Sequence, residues 1–592
     1  MKRMIRMASL LLALVCLLCA CQTESAPTTG TPTTIPTTTQ PAGPDFARAL
    51  PTLREKFVTG APADGDLVLA RDGTANATIV IPAGHAEAKA AAADLSSYLQ
   101  KITGAAFETV TDNQTLPEGN LILVGPTKKT AELGIEPHTG YPYAEKLTIA
   151  RKDNCLILCG NDDAAYTGTQ NAVTCFLEEA GCGWFAEDEL WQIVPEMPTL
   201  AVKTVDMTVT PVMHSRSYGN VSSALTERWY CGGTNTLDGQ RIWIYIPKST
   251  FATHPEWFAL VDGTRHDPSS YSISEWQYCY SNQALAEAYA QKVIEYFDKN
   301  PNCLTMTAAA NDGWTDGWCE CDNCAALGNK ADQALTFANR VAEIVCKTYP
   351  DKYISTLAYH DTFLPPEKTK AHENVEVMFC LETSPLDDLM ADRQIHSGFN
   401  NINKIEYSQS WLDNVTEWIE VSDLQHKTIW GWFCIEDYWM GAPWIQGNVA
   451  SRNIDVFESL GVTRVFVDGP YPTDKLDQPL RWPLYYTFGK CMYFGDMTGE
   501  EVLYDACQKL YGAAADEMFL YYRLLADCAQ YNDSPSGINW VPPTLLEVYG
   551  KYVGTARKLV ANARAKMDQL TPEQQQRVEN QLRGWMYIDA YI

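Results

Sequence analysis

The sequence predicts an α/β protein: an N-terminal α/β sandwich, then a (β/α)8 barrel of the TIM type, then a helical C-terminal region. Three observations predict it. Residues 49–206 alternate short β-branched or Leu-rich runs with amphipathic helical stretches. From residue 207 the apolar runs become near-continuous and alternate with helical stretches, the pattern of a parallel sheet covered on both faces. Residues 498–592 carry helical spacing throughout.

The elements follow in chain order. Residues 1–21 read as a targeting segment, with "MKRMIRM" as a positive n-region and "ASLLLALVCLL" as an apolar h-region. The apolar run is too short for a comfortable membrane span. Its end, Leu18-Cys19-Ala20-Cys21, resembles the lipobox of a bacterial lipoprotein. That resemblance implies that Cys21 is lipidated and ties the chain to the extracellular face of the bacterial cell membrane. An ordinary secretory signal is the alternative. Residues 22–48 are Thr/Pro-rich and nearly uncharged, the composition of an extended stalk.

In 49–206, "DLVLARD", "ATIVIPAG", "NLILVGP", "KLTIARK" and "CLILCGN" are strand candidates. "HAEAKAAAADLSSYLQKITG" is a helix with Leu95, Tyr98, Leu99 and Ile102 on one face and Gly104 as its stop. "DAAYTGTQNAVTCFLEEAGCGWF" reads as a second helix running into a turn. Across 207–497 the strand candidates are "VMHSRSYG", "IWIYIP", "LTMTAAAND", "YISTLAYHD", "VEVMFCLE", "TIWGWFCIED" and "TRVFVDG". Helical stretches lie at 285–298, 332–348, 411–421 and 447–459. The chain ends at "GWMYIDAYI" with no tail, the ending expected of a truncated chain.

Composition bounds the function. A formal charge of −28 repels phosphate backbones and argues against nucleic-acid binding. Aromatics make up 11% of the chain, which supplies core filling and stacking faces alike. Several predicted strands end in polar or acidic groups: Asp312, His360, Glu382 and Asp468. The carboxyl ends of barrel strands form the active-site mouth. Buried apolar strands have no structural need for acids at one end only, so the pattern points to an enzyme.

Two resemblances sharpen this. "AAADLSSYLQKITG", "LILVGP" and "AAYTGTQNAVTCFLEEAGCGWFAEDELWQIVP" resemble the domain that precedes the barrel in α-glucuronidases and β-hexosaminidases. "HPEWFALVDGTR", "QYCYSNQ", "NDGWTDGWCECDNC" and "GVTRVFVDG" with "PLRWPLYYTFGK" resemble domain-of-unknown-function family 4838. That family implies a barrel related to glycoside hydrolase family 67 and a glycan containing a uronic acid or an N-acetylhexosamine. The sequence departs from the expected pattern at Gly431, where an acid is expected after Ile-Trp, and at Asp468, where Glu is expected.

Cys319, Cys321 and Cys324 form a C-x-C-x-x-C triple that one disulfide cannot satisfy. Three thiolates at this spacing suit tetrahedral zinc, and a fourth is required. The family resemblance pairs Cys279 with the triple, which implies a closed structural zinc site and no catalytic cofactor. A disulfide with free thiols is the alternative, because an exported chain pairs or ligates its cysteines and sixteen lie beyond Cys21.

Glycoside hydrolysis needs an acid on the leaving oxygen and a second carboxylate as base or nucleophile. Asp312 ends the fourth predicted strand, where the family 67 resemblance puts the general acid, and Glu382 ends the sixth, where it puts the base. Glu436, Asp437 and Asp468 are the runners-up. Arg216 is expected to clamp a substrate carboxylate, with Asn311, His360 and Asp361 in support and Trp314, Trp432, Tyr438 and Trp439 as stacking walls. The expected function is a surface-anchored glycoside hydrolase. A non-catalytic carbohydrate-binding lipoprotein on a degenerate barrel is the alternative, favoured by Gly431. A zinc hydrolase is disfavoured, since H-E-x-x-H is lacking.

Overall fold

The structure, a computed structural model, describes residues 45–219, 221–272, 275–312, 317–381, 411–432, 450–468, 478–530, 546 and 549–592. These residues all fall in the unit Thr37–Ile592. The targeting segment with Cys21 and most of the stalk lie outside the described residues.

The N-terminal region builds a six-stranded sheet from β1 (Ala77–Ile81), β2 (Thr109–Thr111), β3 (Asn120–Val124), β4 (Leu147–Lys152), β5 (Cys155–Gly160) and β6 (Asp206–Val209). Their order is β6-β4-β5-β3-β1-β2. The first helix, α1 (Ala86–Thr103), buries Leu95, Tyr98, Leu99 and Ile102 against this sheet, as their spacing predicts. Gly104 ends it at φ 77°, donating its N–H to the Gln100 carbonyl. The second helix, α2 (Gly168–Glu179), packs on β5. Gly160 and Gly168 touch so closely there that a Cβ on Gly160 would lie 2.2 Å from the Gly168 carbonyl carbon.

Eight strands form the barrel-like sheet: β7 (Ser215–Tyr218), β8 (Gly232–Gly233), β9 (Asn235–Leu237), β10 (Cys303–Thr307), β11 (Tyr353–Ala358), β12 (Val375–Leu381), β13 (His426–Trp432) and β14 (Val462–Asp468). The order β8-β7-β14-β13-β12-β11-β10-β9 leaves a near-closed ring. Seven strands run parallel; β8 alone is antiparallel to its neighbour β7. Only Thr234 separates β8 from β9, so one stretch of chain joins the two edges of the sheet.

Two expectations are corrected here. "IWIYIP" is not a strand: Ile242–Tyr245 is a short helix that buries Ile242 and exposes Trp243 and Ile244. The second parallel strand is instead β9, whose three residues, Asn-Thr-Leu, carry too little apolar pattern to signal it. Counted along the parallel strands, Asp312 follows the third and Glu382 the fifth, where the fourth and the sixth were expected.

Strand parity divides the barrel residues into two sets. Ile354, Ala358, Val375, Val377, Phe379, Leu381, Ile429, Val465 and Val467 join the large core with the surrounding helices. Ala309, Leu357, Met378 and Cys380 form a separate interior cluster with Tyr359 and Trp430 against it. One layer toward the N-terminal end, the interior is ionic. Arg464 pairs there with Asp238 and Glu376 and donates to Thr236 Oγ1 at 2.8 Å.

The C-terminal region is helical, as expected: Gln478–Tyr493, Gly499–Tyr511, Ala515–Gln530, Val553–Arg564 and Pro572–Tyr591. Thr498 and Glu501 close a capping box at the second of these.

Candidate active site and cysteine cluster

The chain after β10 continues along β11 for one more bond, from Ala308 N–H to the Ser355 carbonyl at 2.6 Å, and then reaches Asn311. Gln277 holds Asn311 by its backbone. Gln277 Oε1 accepts from Asn311 N–H at 3.0 Å, and Gln277 Nε2 donates to the Asn311 carbonyl at 2.9 Å. Asn311 Nδ2 donates to the Trp276 carbonyl at 3.1 Å. Its Oδ1 is buried and has no partner among the described residues. Asn311 therefore presents one unused acceptor in a rigid frame.

Asp312 follows and is exposed. Desolvation by the surrounding protein nevertheless raises its carboxyl above the usual aspartate range. His360 sits just past β11 with φ 48°, a left-handed conformation that is costly for a side-chain-bearing residue. Burial pushes its imidazole down to about 4, so it is neutral at pH 7. Asp361, next to it, accepts a hydrogen bond from Trp318 Nε1 at 2.8 Å. A cavity of about 20 Å³ between Asn311, Trp318, His360 and Asp361 has room for a single water.

Asp468 ends β14 inside the barrel and accepts from Trp430 Nε1 at 3.0 Å. Gly219 lies against it: a Cβ there would stand 2.6 Å from Asp468 Oδ1. A side chain at position 219 would therefore collide with the Asp468 carboxylate. Three acids, Asp312, Asp361 and Asp468, accordingly stand at the carboxyl ends of three strands. Glu382, Trp314, Glu436, Asp437, Tyr438 and Trp439 lie outside the described residues, as does the side chain of Trp432.

Arg216 is a correction. Its Nη2 donates to both oxygens of Glu145, at 2.9 and 3.0 Å, and it also donates to the carbonyls of Tyr230 and Met213. The guanidinium is fully buried and lies 4.9 Å from the Tyr493 ring centroid. It joins β7 to the N-terminal region and has no face left for a substrate. Gly431 also weighs differently in the structure. It pairs in register with Leu381 and Val467, which face the outer helices, so an acid at this position would not have pointed into the barrel.

Cys279, Cys319, Cys321 and Cys324 converge, with all four sulfurs within 4.8 Å of one another. Cys279 Sγ stands 3.7 Å from Cys321 Sγ and 3.8 Å from Cys324 Sγ. A zinc tetrahedron with arms of about 2.3 Å has edges of about 3.8 Å, so the spacing fits that ion. The donor set is all-sulfur, and three of its members are buried. Leu260 N–H donates to Cys319 Sγ at 3.3 Å, and Ser281 Oγ lies 3.1 Å from Cys324 Sγ. Hydrogen bonds from the Cys279 and Cys324 thiols hold Cys319 well below the usual thiol range. Among the described residues the other cysteines form no disulfide with one another.

Sequence reasoning gave Asp361 only a supporting part and left out Trp318, Gln277 and Trp430. The signal for two of them was present. Trp318 is the residue before Cys319, and Gln277 opens the quoted "QYCYSNQ".

The comparisons with known proteins agree with this architecture. Residues 189–523 match the family described as a domain of unknown function, DUF4838. The chain belongs to the DUF4838 family. Among solved structures, the DUF4838 chain superposes on BtGH115A, a family GH115 4-O-methyl-α-glucuronidase with specificity for decorated arabinogalactans. The TM-score is 0.50 at 12% identity, covering 89% of this chain and 73% of that one. A Streptomyces plicatus N-acetyl-β-hexosaminidase matches with TM-score 0.40 at 11% identity, covering 83% and 98%. A family 89 glycoside hydrolase from Clostridium perfringens, bound to GlcNAc-α-1,4-galactose, matches with TM-score 0.42 at 8% identity, covering 86% and 62%. No curated protein sequence matches. The likeness to BtGH115A shows a glycoside-hydrolase-like fold, with an eight-stranded barrel-like sheet and a helical C-terminal region.

Proposed function

We propose that this DUF4838 protein is a surface-anchored glycoside hydrolase acting on a glycan that contains a uronic acid or an N-acetylhexosamine. The observation that supports the reading is that Asp312, Asp361 and Asp468 each lie at or just past the carboxyl end of a parallel barrel strand. Asp312 is the general acid. Desolvation favours its protonated form, as the donor of a proton to a leaving oxygen requires. Glu382 is the base. The family resemblance implies that role, and Glu382 directly follows β12 in the chain. Zinc in the four-cysteine cluster is structural: a closed set of four thiolates leaves no position for substrate. Anchoring is through lipid on Cys21, at the outer face of the cell membrane.

With Arg216 spent on Glu145, recognition of a uronic carboxylate falls to other groups at the mouth. The test is a panel of chromogenic uronides and N-acetylhexosaminides with wild-type protein, D312A and E382A. Hydrolysis of at least one substrate, reduced by about 100-fold or more in each variant, is expected from the loss of an acid or base. Turnover that survives both changes would displace the site. Binding without any hydrolysis would favour the non-catalytic reading.

A further inference from the structure

Trp318 is held more firmly than a residue on a loop usually is. It is almost fully buried. Its ring packs on Tyr280, with centroids 5.4 Å apart, and the Lys330 ammonium lies 5.3 Å over its face. Tyr280 follows Cys279 directly, and Trp318 directly precedes Cys319. The two rings are therefore the immediate neighbours of two of the four clustered sulfurs, one from each chain segment that the cluster joins.

Both segments reach the mouth. From the first, Tyr280 OH donates to Gln277 Oε1 at 2.6 Å, and Gln277 holds the Asn311 backbone. From the second, Trp318 Nε1 donates to Asp361. Asp361 lies in a short 3-10 turn, His360–Thr362, that starts at the left-handed His360. Thr362 Oγ1 ties the far side of that turn to the Leu357 carbonyl at 2.8 Å. The indole fixes the near side. Asp361 shares the wall of the small mouth cavity with Asn311 and His360.

We propose that Asp361 is a substrate-facing carboxylate of this mouth, and that Trp318 is a positioning residue that sets it from the four-cysteine cluster. The substrate half rests on the proposed function; the positioning half does not. Metal binding would fix the two segments relative to each other, and Trp318 would pass that constraint across to the next strand.

The positioning half is tested by hydrogen exchange and mass spectrometry on the whole protein, zinc-loaded under reducing conditions and after stripping with a chelator. Exchange in residues 358–364 should rise about tenfold on stripping, the low end of what a hydrogen bond to a charged group is worth. A peptide from α1 should not change. Trp318→Phe should show the fast exchange in 358–364 while still holding its zinc. Exchange there that is indifferent to both stripping and Trp318→Phe would overturn the coupling. A protein that takes up no zinc would overturn it as well.

The substrate half is tested with Asp361→Asn on whichever glycoside the wild type hydrolyses or, lacking turnover, binds. A drop of about 100-fold in kcat/KM, or of about tenfold in affinity, is expected with thermal stability unchanged. Trp318→Phe should lower kcat more than it changes KM and shift the acid limb of the pH profile. A fully active Asp361→Asn would overturn the assignment. A wild type that neither binds nor cleaves any glycan would overturn it together with the proposed function, while leaving the exchange result to stand by itself.

Discussion

Replacing Arg216 with Met tests whether this residue is a structural tie. The guanidinium has no exposed surface and the Glu145 side chain is 3% exposed. Removing it strands a buried carboxylate, which among the described residues keeps a 3.3 Å bond from Asn171 Nδ2. It also leaves the Tyr230 and Met213 carbonyls without their donor. Breaking a buried pair from one side costs about 3–5 kcal/mol, whereas replacing both partners with apolar groups is often neutral. Urea unfolding followed by tryptophan fluorescence should show R216M destabilised by about that amount. The double variant E145M/R216M should regain most of the loss. The pair joins the loop before β4 to β7, so the fluorescence change should report separation of the N-terminal region from the barrel. An R216M protein as stable as wild type that had lost affinity for acidic glycans would refute the reasoning and restore the clamp.

Three further outcomes are expected. Cys321→Ser should reduce the zinc content of purified protein from about one equivalent to well under half, since a closed four-sulfur site depends on each member; unchanged metal content by mass spectrometry would place the ion elsewhere. His360 is neutral in the fold, with its value near 4 against 6.5 when unperturbed. Its contribution is therefore complete above about pH 6.5 and is lost as pH falls toward 4, by at most about 3 kcal/mol at 1.4 kcal/mol per pH unit. His360→Asn should flatten the stability curve in that window. Trp243 is 40% exposed, and its indole N–H is already tied to the carbonyl of Gln240, which lines the mouth cavity, at 2.8 Å. Trp243→Ala should weaken oligosaccharide binding in titration calorimetry by about 1–2 kcal/mol, while equal affinity would exclude a stacking role.

Legibility followed burial. The strands Tyr353–Ala358, Val375–Leu381 and Val462–Asp468 are packed on both faces, so their composition alone announced them. The same rule misled at "IWIYIP", where an apolar run belongs to a one-turn helix at the rim, half of it in solvent. Asn235–Leu237 escaped notice because it is three residues long and closes the sheet through its backbone. The cysteine spacing foretold the cluster, since a chelating loop writes its geometry into short intervals. Arg216 could not be assigned from sequence because its partner, Glu145, is 71 residues away on another region. Nothing local distinguishes an arginine that meets a buried acid from one that meets a substrate. The Trp318–Asp361 bond spans 43 residues and the strand Tyr353–Ala358 between them, and it too becomes visible only when the barrel closes.

The most direct measurement is a crystal structure of the E382Q variant soaked with the best oligosaccharide from the substrate panel. The account predicts a saccharide ring at the carboxyl ends of the strands, within hydrogen-bond reach of Asn311, Asp361 or Asp468. A sugar bound instead on the opposite end of the barrel, or along the Arg228 seam against Asp94 and Trp184, would contradict it.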